Sequence, residues 1–265
     1  MCQVIPFILL KYKTISYSNV KSPLFCPGED KTPFIRFILP TFPPFLKFIV
    51  SLKKSDSMKK EFCMSYFNAP VAPIKDADGR LLLRATTTPA STLTVEQVYH
   101  MITANNCLQQ LTREVRSALD RRLAKQSLLP YVTPCGVFSY RSTANLTKLS
   151  GLLPIDIDHL DTPDEAVEMR QLLFDDPALR PVLCFISPGG LGVKAFVPCQ
   201  VPSGEDPVRC ASESIYWAMA YVKTLYNPAG KDSAKGVDPS GKDLVRTCFL
   251  CHDADALLRT EETID

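Results

Sequence analysis

The chain has 265 residues, 46% hydrophobic and 22% charged, with a formal net charge of +2, the proportions of an ordinary globular protein with enough apolar mass for a substantial core. The charge is unevenly placed: residues 1–60 carry ten Lys or Arg against three acids, and the rest carries twenty against twenty-five. The larger part is therefore mildly acidic, which argues against histone-like or repressor-like binding through a global positive field and leaves nucleic-acid contact to local basic patches.

The ten cysteines are irregularly spaced, and several sit in apolar surroundings, such as Cys184 in PVLCFIS and Cys107 beside Leu108. They read as small buried hydrophobes of a reducing compartment, not as a disulfide framework. The N-terminus lacks the basic start, apolar stretch and small-residue cleavage site of a secretory signal. The most apolar run, residues 33–50, is broken by Arg36, Lys47 and four prolines, which makes it a poor membrane span. A cytoplasmic protein with no membrane partner is expected. Residues 1–60 are expected to be a disordered or extraneous basic segment, with Met58 or Met64 as the alternative start, and residues 61–265 to form one domain with its core at 149–258.

From Thr94 the pattern becomes regular. Thr94 and Gln97 form a capping-box pair ahead of Val95, Val98, Tyr99 and Ile102 at helical spacing. A second helix is predicted through Leu108, Leu111, Val115, Leu119 and Leu123, ending before Pro130; its Arg113, Arg116, Arg121, Arg122 and Lys125 read as a solvated basic face or, less simply, as a nucleic-acid contact. GLLPIDID is predicted as a strand, with Pro154 favouring an edge or a bulge. A helix follows, capped by Thr162, with Pro163 at its first position and Glu165 completing the box. PVLCFIS and GVKAFV are strands joined by the turn SPGGLG, a helix runs through Ile215, Ala218, Met219, Val222 and Leu225, and LVRTCFLC is the last strand. The sum is an α+β fold, a β-α-β-β-α-β antiparallel sheet of RRM-like or ferredoxin-like type with preceding helices and an open face left for function.

Asp156 and Asp158 are two apart on a strand, so their carboxylates share one face while Ile155 and Ile157 point into the core. That separation suits joint ligation of a hard cation, Mg²⁺ or Mn²⁺; the plainer reading is a strand that ends in water. The turn Ser187, Pro188, Gly189, Gly190, Leu191, Gly192, followed by Lys194, offers backbone N–H groups and a compact charge to a phosphate, or is simply a glycine-rich hairpin. In the segment VDPSGKDLVR an acid could complete a metal triad and Arg246 could hold phosphate oxygens. GVDPSGKD is one residue short of a phosphate-loop pattern, and Cys248-Phe249-Leu250-Cys251-His252 has the spacing of a haem attachment site without its context.

Three ordered blocks, LPYVTPCGVFSYRSTANLTKLSGLLPIDIDHLD, ISPGGLGVKAFV and GVDPSGKDLVRTCFLCHDAD, resemble the VirE-type N-terminal domains of mobile elements and prophages, which look like members of the archaeo-eukaryotic primase-polymerase superfamily. The resemblance spans about residues 90–258. It implies that Asp156, Asp158 and Asp238 hold Mg²⁺ or Mn²⁺, and that Ser187, Gly189, Gly190, Gly192, Lys194 and Arg246 bind the incoming nucleotide. Lys194 stands where histidine is usual, keeping the charge but not the exchangeable proton near neutral pH. The implied activity is two-metal nucleotidyl transfer in DNA replication, from nucleoside triphosphates on a single-stranded DNA template, with a separate helicase-like ATPase as partner. The rival readings are a degenerate or non-enzymatic single-stranded nucleic-acid module built on the same strand order, and a purely structural partner of a replication helicase.

Overall fold

The computed structural model describes residues 61–201, 204–226, 236–237 and 243–260, all within one compact unit, Pro44–Asp265. The N-terminal segment 1–60 and the start-site reading attached to it lie outside the described residues. Two antiparallel sheets organise the fold. In spatial order the first joins Cys248–Phe249, Tyr131–Thr133, Cys63–Phe67 and Ser91–Thr94, and the second Gly236–Val237, Leu152–Asp158, Val193–Pro198, Leu183–Ile186 and Leu257–Leu258.

The first sheet contains β1 (Cys63–Phe67), β4 (Ser91–Thr94), β5 (Tyr131–Thr133) and β12 (Cys248–Phe249). Two short hairpins flank it, β2 (Ile74–Lys75) with β3 (Leu81–Leu83), and β6 (Gly136–Phe138) with β7 (Leu146–Leu149). Helix α1 (Val95–Ala104) starts where the sequence pattern places it: Thr94 Oγ1 accepts from the Gln97 N–H, and Gln97 Oε1 accepts from the Thr94 N–H at 2.9 Å. The single helix predicted next is two, α2 (Asn106–Ser117) and α3 (Arg121–Leu128). Asp120 accepts from the Leu123 N–H at 2.9 Å and starts α3 afresh, which leaves Leu119 fully exposed in the break. A capping side chain offered mid-pattern wins over continued apolar spacing.

The second sheet is β8 (Leu152–Asp158), β9 (Leu183–Ile186), β10 (Val193–Pro198), β11 (Gly236–Val237) and β13 (Leu257–Leu258). With α4 (Pro163–Phe174) between β8 and β9, and α5 (Pro207–Leu225) after β10, its first four strands in space run fourth, first, third, second in chain order. That is the β-α-β-β-α-β arrangement expected from the sequence. The fourth strand, however, is Gly236–Val237, which pairs with Asp158 and Ile157. The predicted last strand at 244–251 contributes only Cys248–Phe249, and these pair with Val132 and Tyr131 of the other sheet. The pattern could not distinguish them, because both segments are two-residue pairings whose partners are remote in sequence.

Pro154 pairs with Phe196 of β10 and has no opposite neighbour among the described residues, since β11 reaches only Ile157 and Asp158. Proline is tolerated on such an open flank. Thr162 caps α4 as predicted, accepting from the Glu165 N–H at 3.1 Å, but the Glu165 carboxylate reaches one residue further back, to the Asp161 N–H.

One face of the second sheet, through Ile155, Ile157, Val193, Ala195 and Val197, packs on Ala166, Met169 and Leu173 of α4 and on Ala218 and Val222 of α5. Full burial of each such side chain is worth about 1.5–3 kcal/mol. The other face is not open, as the sequence suggests, but partly covered. Phe185 and Phe196 meet edge to face, with centroids 5.9 Å apart, in a core shared with Met64, Val98, Ile102 and Val132 of the first sheet and its helix. That packing sets the surroundings of the acidic strand. No helix among the described residues is long and apolar enough to cross a membrane.

Candidate functional site

On β8 the even-numbered residues Pro154, Asp156 and Asp158 are half-buried, while Leu153, Ile155 and Ile157 are buried, so the two carboxylates do share one face. Lys194 lies directly across the ladder from Asp156, and its Nζ sits 2.5 Å from Asp156 Oδ2, with the lysine side chain only 9% exposed. Burial works against the ammonium, but the charge of Asp156, then Cys248 and Asp158, outweighs it and holds the Lys194 pKa above the usual lysine value. The lysine expected to meet phosphate is buried by the covered sheet face and paired with an acid.

The second oxygen of Asp156, Oδ1, is buried and has no hydrogen-bond partner. Asp156, Lys194, Arg246, Thr247 and Cys248 line a cavity of about 20 Å³, room for one water-sized occupant. Asp158 is held above its ordinary carboxylate pKa, first by burial and then by the Asp156 charge; Lys194, Lys125 and His159 oppose the shift. His159, next in the chain, has φ 61°, a left-handed conformation that turns the backbone away at once and leaves Asp158 at the strand end.

The glycine turn meets this strand. A Cβ on Gly192 would stand 2.4 Å from Ile157 O, 3.0 Å from Ser187 Oγ and 3.1 Å from Asp158 Oδ1. Only glycine lets the Ser187 hydroxyl and the Asp158 carboxylate converge there. Two of the turn's N–H groups are taken by its own carbonyls: Ser187 donates to Gly192 O at 2.8 Å and Gly190, at φ 81°, donates to Ser187 O at 2.9 Å. Ser187 is buried, whereas the Cβ position of Gly189 has open space. Arg116 Nε donates to Pro188 O at 3.1 Å, tying α2 to the turn.

The structure thus brings together Asp156, Asp158, Ser187, Gly192, Lys194 and Arg246. Asp238 lies outside the described residues; the chain reaches β8 at Gly236 and Val237 just before it. Among the described residues no three His, Cys, Asp or Glu side chains cluster as a metal site. Two residues of the haem-like spacing have partners elsewhere in the fold: Cys251 Sγ faces Ile186 O at 3.1 Å, and His252 Nε2 lies 3.1 Å from Gln109 Nε2. Cys107, expected inside, is exposed. Two residues not singled out as site candidates come to this region from α2 and α3: Arg116 at the glycine turn, and Lys125, whose charge acts on Asp158. Their only signal in the sequence is membership of the basic helix face.

Residues 123–258 match the family model described as BT4734-like, N-terminal domain. The chain belongs to this family. No curated protein and no solved structure matches the chain. The BT4734-like region begins within α3 and takes in the acidic strand, the glycine turn, the stretch that contains Asp238, and the clasp formed by β12 and β13.

Proposed function

We propose that this BT4734-like domain is a primase-polymerase-type nucleotidyltransferase module of VirE-type mobile-element or prophage replication, acting in the cytoplasm on nucleoside triphosphates and single-stranded DNA. The observation that carries the reading is the unpartnered, buried Oδ1 of Asp156 beside the desolvated carboxylate of Asp158. Oδ1 of Asp156 is buried without a donor, and burying a carboxylate oxygen unpaired is costly without a further cation.

Asp156 Oδ1 and Asp158, joined by Asp238, are the groups that would hold Mg²⁺ or Mn²⁺. The ion, when bound, supplies Lewis-acid stabilisation to phosphoryl oxygens. Arg246, lining the same cavity, and Arg116, beside the glycine turn, present guanidinium groups suited to triphosphate oxygens. Ser187 and Gly192 shape the wall next to Asp158. The exposed Arg113, Arg121 and Arg122 give the template strand a cationic approach. A separate helicase-type ATPase is the expected partner.

Replacing Asp156 with Asn abolishes Mn²⁺-dependent primer synthesis on single-stranded DNA under this reading, and undiminished synthesis by that variant removes it. A second reading, a non-catalytic nucleic-acid module, is favoured by the Lys194–Asp156 ion pair, which neutralises the acid most needed for metal. Strand binding that survives a chelator, with no synthesis under any condition, selects that alternative.

A further inference from the structure

We infer that the cleft bounded by β1, α1, α2 and the end of α3 seats one unstacked base of single-stranded DNA. The inference rests on the nucleic-acid reading above and deepens it, by naming where a base is held. Its basis is a cavity of about 250 Å³ that reaches from Tyr66 and Asn68, at the end of β1, to Cys107, Leu108 and Leu111 on α2. Close-packed interiors leave few voids larger than a water molecule.

Met64 and Tyr66 are two apart on β1 and share the face that packs on α1 and α2. Met64 is fully buried there, whereas Tyr66 is half-buried and lines the cleft. Met101 and Leu128 add further apolar wall, and no carboxylate, ammonium or guanidinium lines the cleft. The part of a ligand that enters is therefore uncharged, which excludes a phosphate or a metal ion. The polar groups at hand are a phenol and two carboxamides. Burial, then the Cys107 charge, holds the Tyr66 hydroxyl above its ordinary pKa, so it stays a neutral donor. Asn105 Oδ1 accepts from the Leu108 N–H at 2.9 Å as the N-cap of α2, which leaves its NH₂ group to donate. Asn68 is exposed, and its carboxamide carries a donor and an acceptor side by side. Carboxamides pair with the edges of bases, and aromatic rings stack on their faces. The charged remainder of the nucleotide stays outside the cleft, where α3 can meet it: Leu128 lines the cavity, and Arg121, two turns earlier on the same side of the helix, is exposed.

Cys107, exposed and part of the lining, reports whether the cleft is filled. The experiment is the rate at which iodoacetamide alkylates Cys107 in the full chain, read by peptide mapping, with oligothymidylate or an abasic strand of equal length bound; fluorescence anisotropy measures both affinities. Bound oligothymidylate should slow the alkylation about tenfold or more, and the bound abasic strand should not. Cys107→Phe, which fills the cleft from an exposed helix position, should weaken oligothymidylate binding about tenfold, the worth of one stacked base. Its affinity for the abasic strand should be unchanged. Unslowed alkylation with oligothymidylate bound, equal slowing by the abasic strand, or undiminished oligothymidylate affinity in the folded variant overturns the inference and leaves the nucleic-acid reading standing. Failure of the native chain to bind oligothymidylate overturns that reading, and the inference with it. Circular dichroism establishes that the variant is folded; if it is not, the alkylation rates on the native chain decide.

Discussion

Arg170 on α4 and Asp253, between β12 and β13, form an ion pair 3.0 Å apart in which each side chain is only 9% exposed. Asp253 Oδ2 also accepts from the Ile186 N–H at 2.7 Å, so the same carboxylate ties the C-terminal segment to β9. Removing one partner leaves an uncompensated buried charge, and Arg170→Leu is expected to cost about 3–5 kcal/mol. Urea unfolding checks it; a loss below about 1 kcal/mol would show that solvent reaches the pair.

Gly192→Ala should destabilise the chain by about 1–3 kcal/mol, because the added methyl meets Ile157 O at 2.4 Å and a backbone carbonyl cannot swing aside. Gly189→Ala, with open space around it, serves as the control. Paired melting temperatures decide, and equal losses would refute the packing argument.

The raised pKa of Asp158 means that folding disfavours its ionised form. Its favourable contribution is complete below the unfolded-state pKa and is lost as pH rises through the higher folded-state value. Asp158→Asn should therefore stabilise the metal-free protein at neutral pH, with the gain shrinking towards zero once the pH falls below the ordinary aspartate range. Denaturant midpoints at pH 7 and pH 3.5 test the sign.

If single-stranded DNA approaches over α2 and α3, then Arg113→Ala and Arg122→Ala, both at exposed positions, should each reduce the log–log salt slope of binding by about 0.7. Stability should be unchanged. Identical slopes for native and variant proteins would move the strand path elsewhere.

Thiol chemistry separates the described cysteines. Cys107 is exposed, whereas Cys248 is buried and its thiol is pushed up to about 12, chiefly by that burial. Iodoacetamide on the native protein should label Cys107 well before Cys248. Peptide mapping reads the order, and early loss of Cys248 would mean that the first sheet opens.

Local signals were legible wherever one side chain decides one element. Thr94, Thr162 and the β8 alternation did so, and with the apolar runs of β9 and β10 they gave three of the four strands of the β-α-β-β-α-β unit. What stayed hidden depends on partners far away in the chain. Leu119 fits the helical spacing until Asp120 interrupts it. Gly236–Val237 carries no strand pattern of its own. Lys194 looks like a surface lysine until the β8–β10 register sets it against Asp156 and the first sheet covers them both. Candidate residues could be named from the sequence, but not their pairing, because burial and charge compensation are properties of the assembled sheets.

The segment from Cys248 to Leu258 gives its first strand to one sheet and its last to the other. Neither sheet acquires its full set of strands until that short stretch has been synthesised and has left the ribosome. Until then each sheet has one unfinished edge, which leaves backbone N–H and C=O groups unpaired at both.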